Sequence, residues 1–103
     1  MDAMVKHIIL WRLKESLTSE EKAEAKKNAK ENLEALYGKI DGLLGITVNI
    51  NGLESSNCDM MLDSSFESAE ALAAYQKHPA HVAAANCFVR PFAEVRLCLD
   101  YEA

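Results

Sequence analysis

The chain has 103 residues, of which 50% are hydrophobic and 26% charged, and its formal net charge at pH 7 is −5. These values are ordinary for a globular domain, and the length fits a single domain over residues 1–103. The composition excludes collagen-like, coiled-coil and disordered chains, and no stretch reaches the ~20 apolar residues of a membrane span.

The charge is unevenly distributed along the chain. Residues 1–41 carry eight acids and eight bases, whereas residues 42–103 carry eight acids and three bases. This argues against a nucleic-acid partner, because phosphate backbones are bound by clustered Lys and Arg. The N-terminus has no basic region followed by an apolar core, so we expect no signal peptide, no membrane association and a cytoplasmic location.

The three cysteines are widely spaced, at Cys58, Cys87 and Cys98. Without a CxxC pair, zinc ribbons and thioredoxin-like redox sites are not indicated. We expect free thiols in small core positions, as is usual in a reducing compartment.

Residues 4–14 are predicted to form the first strand. Alternation places one set of side chains on one face: Val5, His7, Ile9, Trp11 and Leu13. The opposite face carries Met4, Ile8 and Leu10 beside Lys6 and Arg12. Because both faces are apolar in the middle, we expect a central strand that is covered on both sides.

A surface helix is predicted to follow. Thr18 with Glu21 three residues later is a capping-box pattern, and Gly38 is a suitable terminator after a helix that ends near Tyr37. Its apolar positions recur at helical spacing: Ala25, Ala29, Leu33, Leu36 and Ile40.

Two further strands are predicted, over residues 43–50 and 58–66, separated by an Asn51-Gly52 turn. In the first of them we expect one apolar face formed by Leu44, Ile46, Val48 and Ile50. In the second, Met60, Leu62, Ser64 and Phe66 share a face. Its other face holds Asp59 and Asp63, so we expect that face to be solvated or near a sheet edge.

The remainder of the chain is predicted as two helical segments and a last strand. Ser68 caps a helix over residues 69–77, with Leu72 and Tyr75 facing inward. His78-Pro79 interrupts it, because the residue before proline disfavours helix while proline favours a first helical position. A short helix should therefore begin at Pro79, with His78 near its cap, and residues 92–101 should form the last strand.

The element order is β-α-β-β-α-β, which is typical of a ferredoxin-like α+β fold. It predicts a four-stranded antiparallel sheet with the helices on one face. The other face would be left bare, and Met4, Ile8 and Leu10 make part of it apolar. We therefore expect a homodimer in which the two sheets meet face to face.

Few residues are candidates for chemistry. His7 on the first strand and His81 on the short helix could share one cavity with Tyr75, while Trp11 could form a wall. The alternative interpretations are a hydrogen-bonded core histidine for His7 and a helix cap for His78. We expect no metal, because His78 and His81 at i, i+3 lack a third ligand, and no cofactor, because no phosphate-binding loop is present.

Three segments resemble the stress-responsive dimeric α/β-barrel (Dabb) family: VKHIILWRLK at 5–14, FESAEALAAYQKHPAHVA at 66–83 and VRPFAEVRLCLDYE at 89–102. The resemblance covers the whole chain. It implies a ferredoxin-like subunit and a homodimer in which the sheets form a barrel.

One plant enzyme of that family closes a linear polyketide without a metal or cofactor. The resemblance implies that His81 corresponds to its catalytic base and Tyr75 to its supporting tyrosine, with His7 and His78 as further substrate-binding positions. That enzyme lines its pocket with aromatic residues of the first helix, where this chain has Ala25, Lys26 and Ala29. A deep pocket for an alkyl tail is therefore not expected.

Three hypotheses follow for the function. The first is a small dimeric protein that binds a small molecule between sheet and helices. The second is a cofactor-independent cyclase or lyase with His81 as general base. The third is an antibiotic-biosynthesis-type monooxygenase, from a related barrel fold. A cavity that contains His7, Tyr75 and His81 would favour the second, and in that case we expect His81 to be accessible and hydrogen-bonded to a neighbour such as Tyr75.

Overall fold

The computed structural model describes residues 4–103. Its elements follow the predicted order: β1 (Val5–Leu13), α1 (Ser19–Glu34), β2 (Leu43–Asn49), β3 (Met60–Phe66), α2 (Ala69–Lys77), α3 (Pro79–Phe88) and β4 (Ala93–Glu102). The four strands form one antiparallel sheet in the order β2-β3-β1-β4, so the predicted ferredoxin-like fold is confirmed. No helix within residues 4–103 combines the length and the apolar composition that a membrane crossing needs.

β1 lies in the interior of the sheet, between β3 and β4. Its inner side chains, from Val5 to Leu13 at every second position, are all buried between the sheet and the helices. The period of two in the sequence therefore corresponds to one helix-covered face. This face contributes His7 to the interior.

The helix boundaries follow local signals. The Thr18 side chain accepts a hydrogen bond from the Glu21 N–H, and the Glu21 carboxylate accepts one from the Thr18 N–H, which is the predicted capping box. α1 ends at Glu34, three residues earlier than expected, because the chain tightens there into i→i+3 turns. Gly38 lies in these turns with φ +85°, beyond the helix.

The prediction that Leu44 lies on the apolar face of β2 is wrong. The pairing with β3 shifts between Leu43 and Gly45, so the strand has a bulge at this point. The bulge turns Leu43 into the core and leaves Leu44 50% exposed, while Val48 is fully buried as expected.

The acidic face of β3 is not at a sheet edge, because β3 lies between β2 and β1. Asp63 pairs with Lys6 of β1 at 2.5 Å (Nζ to Oδ1). Asp59 accepts a hydrogen bond from the Leu13 N–H at 2.7 Å. The Asp63 side chain is 39% exposed, so the other expectation, a solvated face, holds for Asp63. Partners on β1 bind both carboxylates, that of Asp63 in β3 and that of Asp59 just before it.

The three cysteines are free, but they do not occupy core positions. Cys58 is half-buried, and Cys87 and Cys98 are exposed. Cys98 lies on β4, which is the outermost strand next to β1, where the helices leave the sheet uncovered.

The sheet face opposite the helices, here called the outer face, is apolar around the junction of β1 and β4. Ile8 is paired with Leu99 and Leu10 with Leu97. Leu97 and Leu99 are 55% and 63% exposed, and no helix within residues 4–103 covers them. The outer face therefore includes the predicted Ile8 and Leu10, together with the apolar side chains of β4.

Candidate functional site

A cavity of about 70 Å³ lies between the inner face of the sheet and helices α2 and α3. Its polar lining consists of His7, Tyr75, His81, Arg90 and Arg96, and its remaining lining is mostly apolar and includes Trp11. Four of the five residues singled out in the sequence thus line one cavity. A larger open depression of about 330 Å³, beside residues 49–61, contains none of them.

Three elements supply the central side chains of the cavity. Alternation along β1 places His7 inside, Tyr75 lies on the inward side of α2, and the break at Pro79 starts α3 so that His81 faces back toward Tyr75. The rings of Tyr75 and His81 lie 4.3 Å apart between centroids, and those of His7 and Tyr75 6.2 Å apart. The cavity therefore has one aromatic ring between two imidazoles.

Tyr75 is fully buried, and within residues 4–103 its hydroxyl has no hydrogen-bond partner. A buried unpaired polar group costs about 1–3 kcal/mol. Burial also raises the pKa of Tyr75 above its ordinary value of 10. The hydroxyl therefore stays protonated at neutral pH and is free to donate to a bound molecule.

His81 is half-buried, and its Nδ1 lies 3.3 Å from the backbone carbonyl oxygen of Gln76. Because a carbonyl only accepts, Nδ1 carries the proton of a neutral ring and Nε2 keeps its lone pair. His81 is therefore hydrogen-bonded to a neighbour, as expected, but the partner is Gln76 instead of Tyr75, whose ring packs against the His81 ring.

The surroundings of His81 favour the neutral imidazole. Burial lowers its pKa below the ordinary 6.5, and the neighbouring side chains of Arg90, His7 and Arg96 lower it further through their electrostatic effect. The hydrogen bond to Gln76 acts in the opposite direction. At pH 7 the ring is therefore neutral and able to accept a proton.

This shift predicts a pH dependence of stability. Because the unfolded chain binds a proton near pH 6.5 and the folded chain only at lower pH, the free energy of unfolding should fall as the pH drops below about 6.5 through the folded-state pKa. In His81→Gln this part of the loss should disappear. Urea unfolding between pH 5 and 8 and an NMR titration of the His81 ring measure both quantities. A His81 pKa above 6.5 would contradict the described surroundings.

His7 is held by a residue that sequence analysis did not identify. Its Nδ1 lies 2.5 Å from Oδ1 of Asp100, and the Cys98 thiol lies 3.9 Å from the same nitrogen. A carboxylate accepts from Nδ1–H, which leaves Nε2 as the His7 nitrogen available to a ligand. The sequence signals at Asp100 were alternation along the last strand and its place in the segment 89–102 that resembles the family, and neither indicated the pairing of His7 with Asp100.

His7, Cys98 and Asp100 also offer one metal-ligand atom each, all within 4.8 Å of one another. Their chemistry suits a zinc-type ion with three protein ligands. In the described residues, however, the three groups bond to each other: Cys98 Sγ lies 3.4 Å from the Asp100 carboxylate. We therefore interpret Asp100 as the acceptor that fixes the orientation of His7.

The structure places His78 outside the cavity. Its Nδ1 accepts a hydrogen bond from the Ala80 N–H at 3.1 Å, and it forms the N-cap of α3. This is the alternative interpretation considered for His78, and it leaves His81 as the cavity histidine of the HPAH segment.

The profile of a protein family described as "Stress responsive A/B Barrel Domain" (Dabb) matches residues 5–103. A dimeric protein of unknown function with a ferredoxin-like fold from Bacteroides fragilis is 36% identical to the chain. Its structure superposes with a TM-score of 0.91, over 97% of this chain and 96% of that chain. Among curated proteins, a search finds no match.

Two other solved structures share the fold at lower identity. A Dabb family protein with a ferredoxin-like fold from Mesorhizobium loti is 24% identical, with a TM-score of 0.75 over 99% of this chain and 98% of that chain. A hydroxynitrile lyase from Passiflora edulis is 17% identical, with a TM-score of 0.73 over 100% and 95%. At these identities the likeness shows the fold alone.

Proposed function

Since the chain belongs to the stress responsive A/B barrel family, we propose that its cavity binds a small carbonyl compound and that His81 transfers a proton on that compound. The observation that carries the proposal is the buried Tyr75 hydroxyl, which has no partner within residues 4–103 and belongs to a ring that packs against the His81 imidazole. A buried hydroxyl without a protein partner is explained where a bound ligand accepts its hydrogen bond.

The chemistry is acid–base catalysis next to a carbonyl group. Nε2 of His81 takes a proton from the carbon beside the carbonyl, and the C–H electron pair forms a carbon–carbon double bond. The π electrons of the carbonyl move to its oxygen, which accepts a hydrogen bond from Tyr75. Return of the proton from His81 to carbon restores the ketone. When the enolate carbon instead attacks a second carbonyl, a carbon–carbon bond forms, the π electrons of that carbonyl move to its oxygen, and this oxygen takes the proton held by His81. Within one molecule this closes a ring, as in a cyclase, and the reverse step, which breaks the carbon–carbon bond, is a lyase reaction.

His7 supports this chemistry from the opposite wall. Asp100 fixes the ring through Nδ1 and leaves Nε2 to contact a carbonyl or hydroxyl group of the ligand. Because the His7 side chain is only 3% exposed, its orientation is held by packing as well as by the hydrogen bond. His7 is thus a binding residue in the proposal, while His81 is the base.

The size of the cavity supports a small ligand. Within the described residues α1 contributes only Leu33 to the lining, while Ala25 and Ala29 are buried in the core. The volume of about 70 Å³ accommodates a short acyl group and no long tail. This agrees with the small residues on the first helix.

The same proposal includes a homodimer formed through the outer face. The apolar pairs between β1 and β4 are exposed in the single chain, and the Bacteroides fragilis protein at 36% identity is dimeric. Burial of exposed Leu97 and Leu99 against a second copy would remove a contiguous apolar patch from water.

Tyr75→Phe tests the binding proposal. We expect 2,4-pentanedione to bind the wild type, and the variant to bind it about tenfold more weakly because one buried hydrogen bond is lost. The free energy of unfolding should stay equal or rise by up to about 1 kcal/mol, since an unpaired buried hydroxyl is removed. NMR titration and urea unfolding measure the two effects.

Tyr37→Phe is the matched control, because Tyr37 is exposed and lies outside the cavity. It should change neither quantity. Equal binding by wild type and Tyr75→Phe, or no binding by either, would refute the proposed role of the Tyr75 hydroxyl.

A further inference from the structure

The distribution of positive charge points to the chemical class of the ligand. Residues 42–103 contain eight acids and only three bases, which are Lys77, Arg90 and Arg96. Both arginines line the cavity, although the region as a whole is acidic. Arginines that only keep the surface hydrated would not need to lie at the cavity.

The two arginines reach the cavity from different elements. Arg90 follows the C-terminus of α3, and Arg96 lies on the inner face of β4, opposite Trp11 of β1. An open depression of about 170 Å³ shares Trp11, Val89, Arg90 and Arg96 with the cavity. Arg90 and Arg96 therefore line both the cavity and the neighbouring depression.

Neither guanidinium is neutralised by a carboxylate. The ion pairs within residues 4–103 involve other residues. Glu94 lines the depression but makes no ion pair with either arginine, and Arg90 donates a hydrogen bond to the neutral Asn86 side chain. Both arginines are exposed at the cavity, and two positive charges without a carboxylate partner favour an anion there.

We propose that the ligand is a short oxo-carboxylate, whose carboxylate is bound by Arg90 and Arg96 while its carbonyl group reaches Tyr75 and His81. This inference rests on the proposed function and names its substrate class. The planar guanidinium groups match a carboxylate through paired hydrogen bonds. The fully buried Tyr75 hydroxyl supplies the separate donor that the carbonyl oxygen needs. The positive charges also stabilise the enolate that proton removal creates.

Acetoacetate and its neutral methyl ester distinguish the two recognition elements. In NMR titrations at pH 7 we expect the wild type to bind the anion about tenfold or more tightly than the ester. Arg90→Gln and Arg96→Gln should each lose about tenfold in affinity for acetoacetate. Their affinity for the ester should stay unchanged, which also reports that the variants are folded. Lys77→Gln removes the third base of the region, outside the cavity, and should alter neither affinity.

The titration of His81 is an independent readout. The groups that face it are His7 from β1, Tyr75 from α2, Arg90 after α3 and Arg96 from β4. Bound acetoacetate should raise the His81 pKa by offsetting the arginine charges, whereas the ester should not. Either arginine substitution should also raise it in the free protein.

Different experimental results would contradict the proposed substrate class and the proposed function. Equal binding of acetoacetate and ester, or affinity for acetoacetate that survives both arginine substitutions, would overturn the inference while the proposed function stands. Displacement of acetoacetate by an equal concentration of inorganic phosphate would also overturn it, because the site would then be selective for phosphate. If acetoacetate, its ester and 2,4-pentanedione all fail to bind, the proposed function fails as well.

Discussion

Leu99→Asp should convert the proposed homodimer into a folded monomer. Leu99 is 63% exposed in the single chain, so the substitution leaves the monomer core intact. In a dimer formed through the outer face, the new carboxylate would be buried without a partner, and it would occur twice at the interface. Because burial of an unpaired charge is costly, we expect the dimer dissociation constant to rise about 100-fold or more.

Sedimentation equilibrium at micromolar concentration checks this result. Wild type should have twice the chain mass, and Leu99→Asp the mass of one chain. Ile8→Asp, directly opposite on β1, should give monomers or aggregates, since Ile8 is partly buried within the chain as well. Tyr37→Asp is the matched control: Tyr37 is 62% exposed but lies in the turns after α1, and its substitution should leave the dimer intact. A monomeric wild type would contradict the proposed interface.

His81→Ala should abolish proton transfer and leave the fold nearly unchanged. Removal of a general base typically lowers a rate about 10²–10⁴-fold. The ring is half-buried at the edge of the cavity, so we expect a loss in unfolding free energy of under about 1 kcal/mol. The rate is measured by ¹H NMR as the exchange of the α-protons of 2-butanone in D₂O, which requires no knowledge of the natural substrate.

His78→Ala is the control, three residues away in the same segment. Its side chain caps α3, so the substitution should cost about 0.5–2 kcal/mol of stability while exchange continues. His81→Gln, which retains a side chain of similar size, separates a lost base from lost packing and should be as inactive as His81→Ala. A stability loss of about 1–3 kcal/mol on His81→Ala, together with no exchange by the wild type, would instead assign His81 a structural role.

Local sequence signals determined most of the fold. The period of two along residues 5–13, the Thr18–Glu21 pair and the His78-Pro79 break act through the backbone of a few neighbouring residues. The strands and helix ends that they produce can therefore be predicted from the sequence alone. The exceptions are Leu44, where a bulge reverses the face of the strand, and the end of α1, where i→i+3 turns replace the last helical turn.

The candidate site could be predicted only in part. The resemblance of the HPAH and opening-strand motifs to a family indicated Tyr75, His81 and His7 together, and the structure places all three around one cavity. Arg90, Arg96 and Asp100 lie in the third segment that resembles the family, but the sequence analysis assigned them no role in the site. The role of His78 was open in the sequence, and its cap geometry became visible only with the Ala80 hydrogen bond.

The last strand shows why tertiary structure was needed. Sequence alternation separates Arg96, Cys98 and Asp100 from Leu97 and Leu99, but it does not say which side faces the helices. Ordinarily the apolar side would face inward. The antiparallel register pairs His7 with Asp100 and Trp11 with Arg96, so the polar side of β4 lies on the helix side of the sheet, with Arg96 at the cavity, and the apolar side lies on the outer face. Contacts between residues about 90 positions apart decide this orientation, and a local pattern contains no information about them.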